Sequence, residues 1–170
     1  FALENKGASS TFIGLNTAMG GVATILLAPF VPAFARRIGV SGLLLSALLL
    51  GSATLISFWL LDNVWLWFGL RFLFGASLAV VFVLSEFWIN AAAPERSRGL
   101  VMGIYATVLS LGFATGPFIL TFLSSNTVWP YVTGALIFLG AILPVVLSAR
   151  HAPHLNEEAS HTSTLGFVRK

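Results

Sequence analysis

The sequence predicts an all-α protein, a polytopic bundle of transmembrane helices. Hydrophobic residues make up 57% of the chain and charged residues only 9%, whereas a soluble domain has about 25% charged residues. The apolar residues form runs long enough to cross a bilayer, which takes about 20 helical residues. The basic residues gather between alternate runs, as they do in the cytoplasmic loops of membrane proteins. Together these observations predict five membrane spans.

Each of the first three spans is an apolar run bounded by charge. The first is predicted at residues 11–34 and ends at an arginine pair. The second, at residues 43–61, ends at an aspartate, and the third, at residues 64–90, ends before a Pro-Glu-Arg sequence. The third span alone is interrupted by charged residues, at Arg71 and Glu86.

The last two spans come from one long uncharged stretch. Residues 99–149 contain no charge over about two span lengths, so the chain must turn within them. The polar residues 124–127, before a Trp-Pro pair, are the best place for that turn. This gives a fourth span at residues 99–123 and a fifth at residues 129–148.

The loop charges predict the orientation. Five alternating spans put most of the basic residues on one side: Arg36, Arg37, Arg96, Arg98, Arg150, Arg169 and Lys170. By the positive-inside rule that side is cytoplasmic. The N-terminus then lies outside and the C-terminus inside, which an intact protein could achieve with one more helix upstream. Tryptophans near the predicted outer ends fit an interfacial aromatic belt. We expect a bacterial inner membrane protein.

Residues 1–150 are therefore expected to form one partial bundle, and residues 151–170 a cytoplasmic loop or the start of a linker. His151 and His154 have a spacing that could support a metal, but no third donor is defined, and a hydrophilic loop is the better interpretation. The chain has no cysteine, which excludes disulfides and thiolate sites. Its net charge of +3 is dispersed rather than gathered in a patch, which disfavours nucleic-acid binding. No cofactor is expected.

Short motifs in the third and fourth spans resemble those of the major facilitator superfamily. Arg71 and Gly75 form an Arg-x-x-x-Gly sequence similar to that of the family's fourth helix. Residues 94–99, followed by Gly103, resemble the entry into its fifth helix, and residues 112–117 resemble the Gly-x-x-x-Gly-Pro element within it. The five spans would then correspond to helices two to six of the N-terminal half of a twelve-helix transporter, so the first helix and the C-terminal half would belong to the remainder of its chain.

The resemblance also implies a gating loop between the first two spans, at Arg36, Arg37 and Gly39. The match departs from the family pattern, because Pro32 and Arg36 stand where the family has a glycine and an aspartate. The usual acidic contact of that loop is therefore absent or replaced by another pairing, which leaves the subfamily open.

Arg71, Gly75 and Glu86 are the candidates for conformational coupling. A guanidinium inside a span costs at least ~2.5 kcal/mol, so Arg71 is expected to face the bundle interior, with snorkelling to the outer headgroups as the alternative. Glu86 lies too far along the helix to pair with Arg71. It is interpreted as a gate or anchoring carboxylate near the cytoplasmic arginines, or as an ordinary interfacial residue, and proton coupling through it stays open.

Polar residues within the spans suggest a substrate cavity. Asn16, Tyr105 and Thr115 are the cavity candidates, since they could hydrogen-bond a solute. A second group consists of small residues and a proline suited to close helix packing: Gly99, Gly103, Gly112, Gly116 and Pro117.

The resemblance implies a secondary active transporter of a small solute that works by alternating access in the lipid bilayer. A non-transporting sensor or assembly subunit on the same fold is the alternative. A membrane-embedded enzyme is disfavoured, because the spans lack a cluster of residues suited to catalysis.

Overall fold

The structure, a computed structural model, describes residues 2–123 and 127–151. These residues form helices without a strand, and five helical segments are long and apolar enough to cross a membrane. The predicted class and the five spans are thus confirmed. The α-helices are α1 (Ala2–Asn5), α2 (Ser10–Leu27), α3 (Val31–Ile38), α4 (Val40–Leu60), α5 (Leu66–Ala92), α6 (Arg98–Phe122) and α7 (Trp129–Ser148).

The first span is a composite of α2, a short 3₁₀ turn and α3, and it covers Ser10–Ile38. The 3₁₀ turn, Ala28–Phe30, contains Pro29, whose ring removes a backbone donor and so interrupts regular α-helical bonding. At the N-terminal end of this span, Ser9 caps α2, because its hydroxyl accepts a hydrogen bond of 3.3 Å from the Phe12 amide.

The expected gating loop is not a loop. Arg36 and Arg37 form the last turn of α3, and Gly39 alone separates α3 from α4. Gly39 has a φ of +81°, in the region that favours glycine, which lets one residue make the turn. The arginines remain helical because cations are favourable beside the carbonyl end of a helix.

The helix α5 is the centre of the bundle. It packs against α2 on one side and α4 on another, and α4 in turn packs against α7. The closest approach is between α2 and α5, where a Cβ atom on Gly75 would lie only 2.7 Å from the Gly20 Cα atom. The two backbones are therefore in direct contact.

A second tight contact joins three helices. A Cβ atom on Gly51 of α4 would lie 2.6 Å from the Ser77 Oγ atom of α5 and 2.6 Å from the Phe138 Cδ1 atom of α7. The Ser77 hydroxyl donates a 2.6 Å hydrogen bond to the Ala47 carbonyl, which ties α5 to α4. Small residues that allow close approach commonly form such contacts in membrane bundles.

The helix α6 is the least integrated of the five spans. None of its residues is buried, and among the described residues it packs mainly against α5. Both Pro117 of α6 and Pro144 of α7 lie inside continuous helices. The predicted turn falls mainly on residues 124–126, and the predicted loop on residues 152–170, both outside the described part of the chain.

Candidate functional site

Arg71 lies five residues into α5 and is partly buried. Its side-chain stem runs along α2, since a Cβ atom on Gly20 would be 3.6 Å from the Arg71 Cδ atom. Its guanidinium carbon lies 5.6 Å from the centre of the Phe58 ring, within the range of a cation–π contact. The buried Nε atom has no hydrogen-bond partner among the described residues. The side chain thus faces the bundle interior between α2 and α4.

Arg71 lies near the N-terminal end of α5, next to an apolar cluster. Leu3, Phe58 and Trp67 are its buried members, and Tyr131 of α7 packs against them. Tyr131 also lies close enough to Arg71 to interact with it electrostatically. Sequence reasoning missed Phe58 and Tyr131 as neighbours of Arg71, because they come from other helices and their positions indicate only a general aromatic belt.

A surface ion pair lies at the edge of this region. The Lys6 Nζ atom lies 2.8 Å from the Asp62 Oδ1 atom and 5.8 Å from the centre of the Trp67 ring. The hydrogen bond and the charge of Lys6 hold the pKa of Asp62 below its ordinary value of 3.8. Asp62 is exposed, so the pair joins the short α1 segment to the connection between α4 and α5 with little burial.

Asn16 is enclosed within the described bundle. It lies on α2 and is fully buried, and neither its Oδ1 nor its Nδ2 atom has a hydrogen-bond partner among the described residues. Two turns further along α2, the Thr24 hydroxyl lies 3.4 Å from the Gly75 carbonyl oxygen of α5, at hydrogen-bonding distance. The face of α2 toward α5 therefore carries the Thr24 hydroxyl, which has a hydrogen-bond partner, and the Asn16 amide, which has none among the described residues.

Glu86 lies near the other end of α5 and is exposed. Among the described residues it forms no ion pair, so the expected contacts with the arginines of α3 and of the α5–α6 connection are not made here. Glu86 instead lies near Tyr105 of α6, close enough for the two side chains to interact electrostatically. One turn away, the Phe82 and Phe113 rings stack with centroids 6.1 Å apart. These contacts join α5 to α6.

The remaining candidates lie on α6 and are open within this chain. Thr115 is exposed, and its hydroxyl donates a 2.9 Å hydrogen bond to the Leu111 carbonyl of its own helix. Among the described residues outside their own helix backbone, no atom lies within 4 Å of a Cβ atom built on the four glycines proposed for packing, Gly99, Gly103, Gly112 and Gly116. The described residues pack instead through Gly20, Gly51 and Gly75. Sequence spacing could not separate these two sets, since both consist of glycines in apolar helices.

The comparisons with known proteins agree with the motifs. The Major Facilitator Superfamily model matches residues 1–169. An uncharacterized MFS-type transporter of Bacillus subtilis strain 168, YfkF, is 28% identical over 140 residues, which is 82% of this chain and 36% of that protein. A similar transporter of Escherichia coli O139:H28, YcaD, is 28% identical over 132 residues, or 76% of this chain and 33% of the relative.

An MFS-type transporter of Enterobacter sp. strain 638 is 28% identical over 115 residues, which is 66% of this chain and 30% of that protein. The matched part is thus about a third of the length of these relatives. No solved structure matches the chain. The match along nearly the whole chain, together with five membrane-length helices, shows an integral membrane protein that belongs to the major facilitator superfamily.

Proposed function

We propose that this chain is part of a secondary active transporter that moves a small solute across the membrane by alternating access. Membership of the family and the transporter names of its relatives support transport. The observation that carries the coupling role is Arg71, a cation inside the membrane part of α5 that contacts α2 and α4 and lies near α7. Such a residue responds to any change in how these helices pack.

The five spans would supply helices two to six of the N-terminal half, and the rest of the transporter would cover the exposed α6. This arrangement leaves Tyr105 and Thr115 on surface that another segment or a solute can reach. Glu86 is the only carboxylate within the described spans, which makes it the residue to examine for proton coupling. The basic residues favour a cytoplasmic location for the connections after α3 and α5 and for the segment after α7, in a bacterial inner membrane.

A transport assay with a mixture of candidate solutes tests the proposal. Proteoliposomes with the whole protein are incubated in a defined mixture of metabolites, with and without a pH gradient, and the trapped solutes are identified by mass spectrometry. We expect one class of solute to accumulate above the level in empty liposomes. Arg71→Ala should abolish this accumulation, whereas Arg150→Ala, which removes an exposed arginine outside the spans, should retain it.

Uptake by Arg71→Ala at the wild-type level would rule out the coupling role of Arg71. A folded wild-type protein that accumulates no solute under either condition would favour the sensor or assembly alternative. Glu86→Gln separates proton coupling from transport itself, because it should abolish only the response to the pH gradient if Glu86 carries the proton.

A further inference from the structure

The α2–α5 interface brings Asn16 and Arg71 to the same depth. On the outer side of them, the Phe12 and Phe68 rings meet edge to face with centroids 5.0 Å apart. On the inner side, Gly20 and Gly75 are in backbone contact. Both helices run in the same direction between these two contacts, over eight residues in α2 and seven in α5. Asn16 and Arg71 lie in the middle of their segments, so they occupy one layer of the interface.

The unsatisfied atoms in this layer are complementary. Arg71 offers one buried donor, the Nε–H group, and Asn16 offers a buried acceptor, Oδ1, beside its Nδ2 donors. Gly20 brings the Arg71 Cδ atom, to which Nε is bonded, against the face of α2 that carries Asn16 one turn earlier. An unpaired buried donor or acceptor is costly, and the cost is largest where no water can replace the partner.

We propose that Asn16 is a positioning residue for Arg71. When the two side chains rotate toward each other, the Asn16 Oδ1 atom accepts a hydrogen bond from the Arg71 Nε–H group. In the present arrangement neither atom has a partner among the described residues, and rotation of the two side chains would close the bond. The bond would hold the Arg71 side chain against α2, in addition to the contact that its guanidinium already makes with the Phe58 ring. Its consequence for transport rests on the proposed function, whereas the bond itself does not.

Nuclear magnetic resonance of the whole protein in lipid nanodiscs tests the bond directly. With ¹⁵N-labelled arginine, the Arg71 Nε–Hε signal is assigned as the one that disappears in Arg71→Lys. We expect Asn16→Leu to shift this signal and to speed its hydrogen exchange about fivefold, as the loss of one net hydrogen bond predicts. Asn16→Asp keeps the acceptor and adds a charge, so it should slow the exchange relative to Asn16→Leu.

Thr24→Val is the matched control. Its hydroxyl lies in the same interface but contacts the Gly75 carbonyl rather than Arg71. This variant should lower thermal stability while leaving the Arg71 signal in place. An Arg71 signal that is unchanged in Asn16→Leu, or that moves equally in Thr24→Val, overturns the proposal.

Transport provides the second measurement and separates the two hypotheses. If Asn16 acts through Arg71, Asn16→Leu lowers kcat with little change in KM, Asn16→Asp restores part of it, and Asn16→Leu has no further effect in an Arg71→Lys background. If Asn16→Leu shifts the Nε–Hε signal but substitutions at Asn16 and Arg71 leave transport unchanged, the hydrogen bond is supported and the coupling role proposed for Arg71 is rejected. Additive losses in the double variant reject the action of Asn16 through Arg71.

Discussion

At the residue scale, Gly75 has the strictest requirement in the described bundle. A Cβ atom on Gly75 would lie 2.7 Å from the Gly20 Cα atom. The backbone of Gly20 cannot move aside as a flexible side chain can. We expect Gly75→Ala to lower the free energy of unfolding by about 1–3 kcal/mol, the usual cost of overpacking. The measurement is chemical or thermal unfolding of the whole protein in detergent.

Gly69→Ala is the control for this prediction, since it lies on the same helix with no described atom within 4 Å of the added Cβ. It should be neutral or stabilise by up to about 1 kcal/mol, because alanine favours the helix. Equal effects of the two variants would show that helix propensity, rather than the Gly20 contact, sets the requirement at Gly75.

The Lys6–Asp62 pair predicts a dependence of stability on pH. The pKa of Asp62 is lowered in the folded protein, so the pair stabilises at pH values above the ordinary 3.8 and this stabilisation is lost as the pH falls below it. Asp62→Asn should therefore reduce the decrease in Tm between neutral pH and acid, with a small effect at neutral pH because the pair is exposed. Identical pH profiles of the two proteins would contradict this.

The sequence predicts which residues are unusual but not what they touch. Arg71 and Glu86 stand out because each interrupts an apolar run, and an ionisable group in a span is costly wherever it points. The partners of Arg71 come from α2 and α4, and that of Glu86 from α6, so their contacts depend on the rotation of each helix about its axis. The weak periodicity of an all-round apolar helix does not define that rotation.

At the scale of elements, serine hydroxyls show which helices are tied together. The Ser77 hydroxyl crosses from α5 to the Ala47 carbonyl of α4, whereas the Ser46 hydroxyl donates to the Gly42 carbonyl of its own helix. We expect Ser77→Ala to destabilise the protein by about 0.5–1.5 kcal/mol and Ser46→Ala to have little effect. Unfolding titrations of both variants measure the difference. An equal effect of the two would contradict a role for the crossing bond.

The number of spans could be predicted because hydrophobic length is fixed by the bilayer. The turn after α3 could not, since Gly39 by itself is compatible with several connections and only its backbone angle shows that one residue suffices. The first span also runs four residues beyond its predicted end at residue 34, to Ile38. The prediction ends that helix before its charged residues, although arginine is a good helix former near a helix C-terminus.

At the scale of the whole molecule, the orientation gives a direct prediction. Single cysteines are easy to place, because this chain has none of its own. In a background free of other cysteines, Asn63→Cys, in the α4–α5 connection, should react with a membrane-impermeant maleimide on intact cells. Glu95→Cys, in the α5–α6 connection, should react only after permeabilisation. The reverse pattern would contradict the proposed topology.

The one-residue turn at Gly39 is the point about which α3 would rotate relative to α4. A helix of eight residues is about 12 Å long, so a 10° rotation at the glycine moves its far end by about 2 Å. That far end is Val31, which lies in one buried apolar cluster with Leu84 of α5. A displacement of Val31 would therefore change its packing against α5, and the length of α3 determines how large that displacement is.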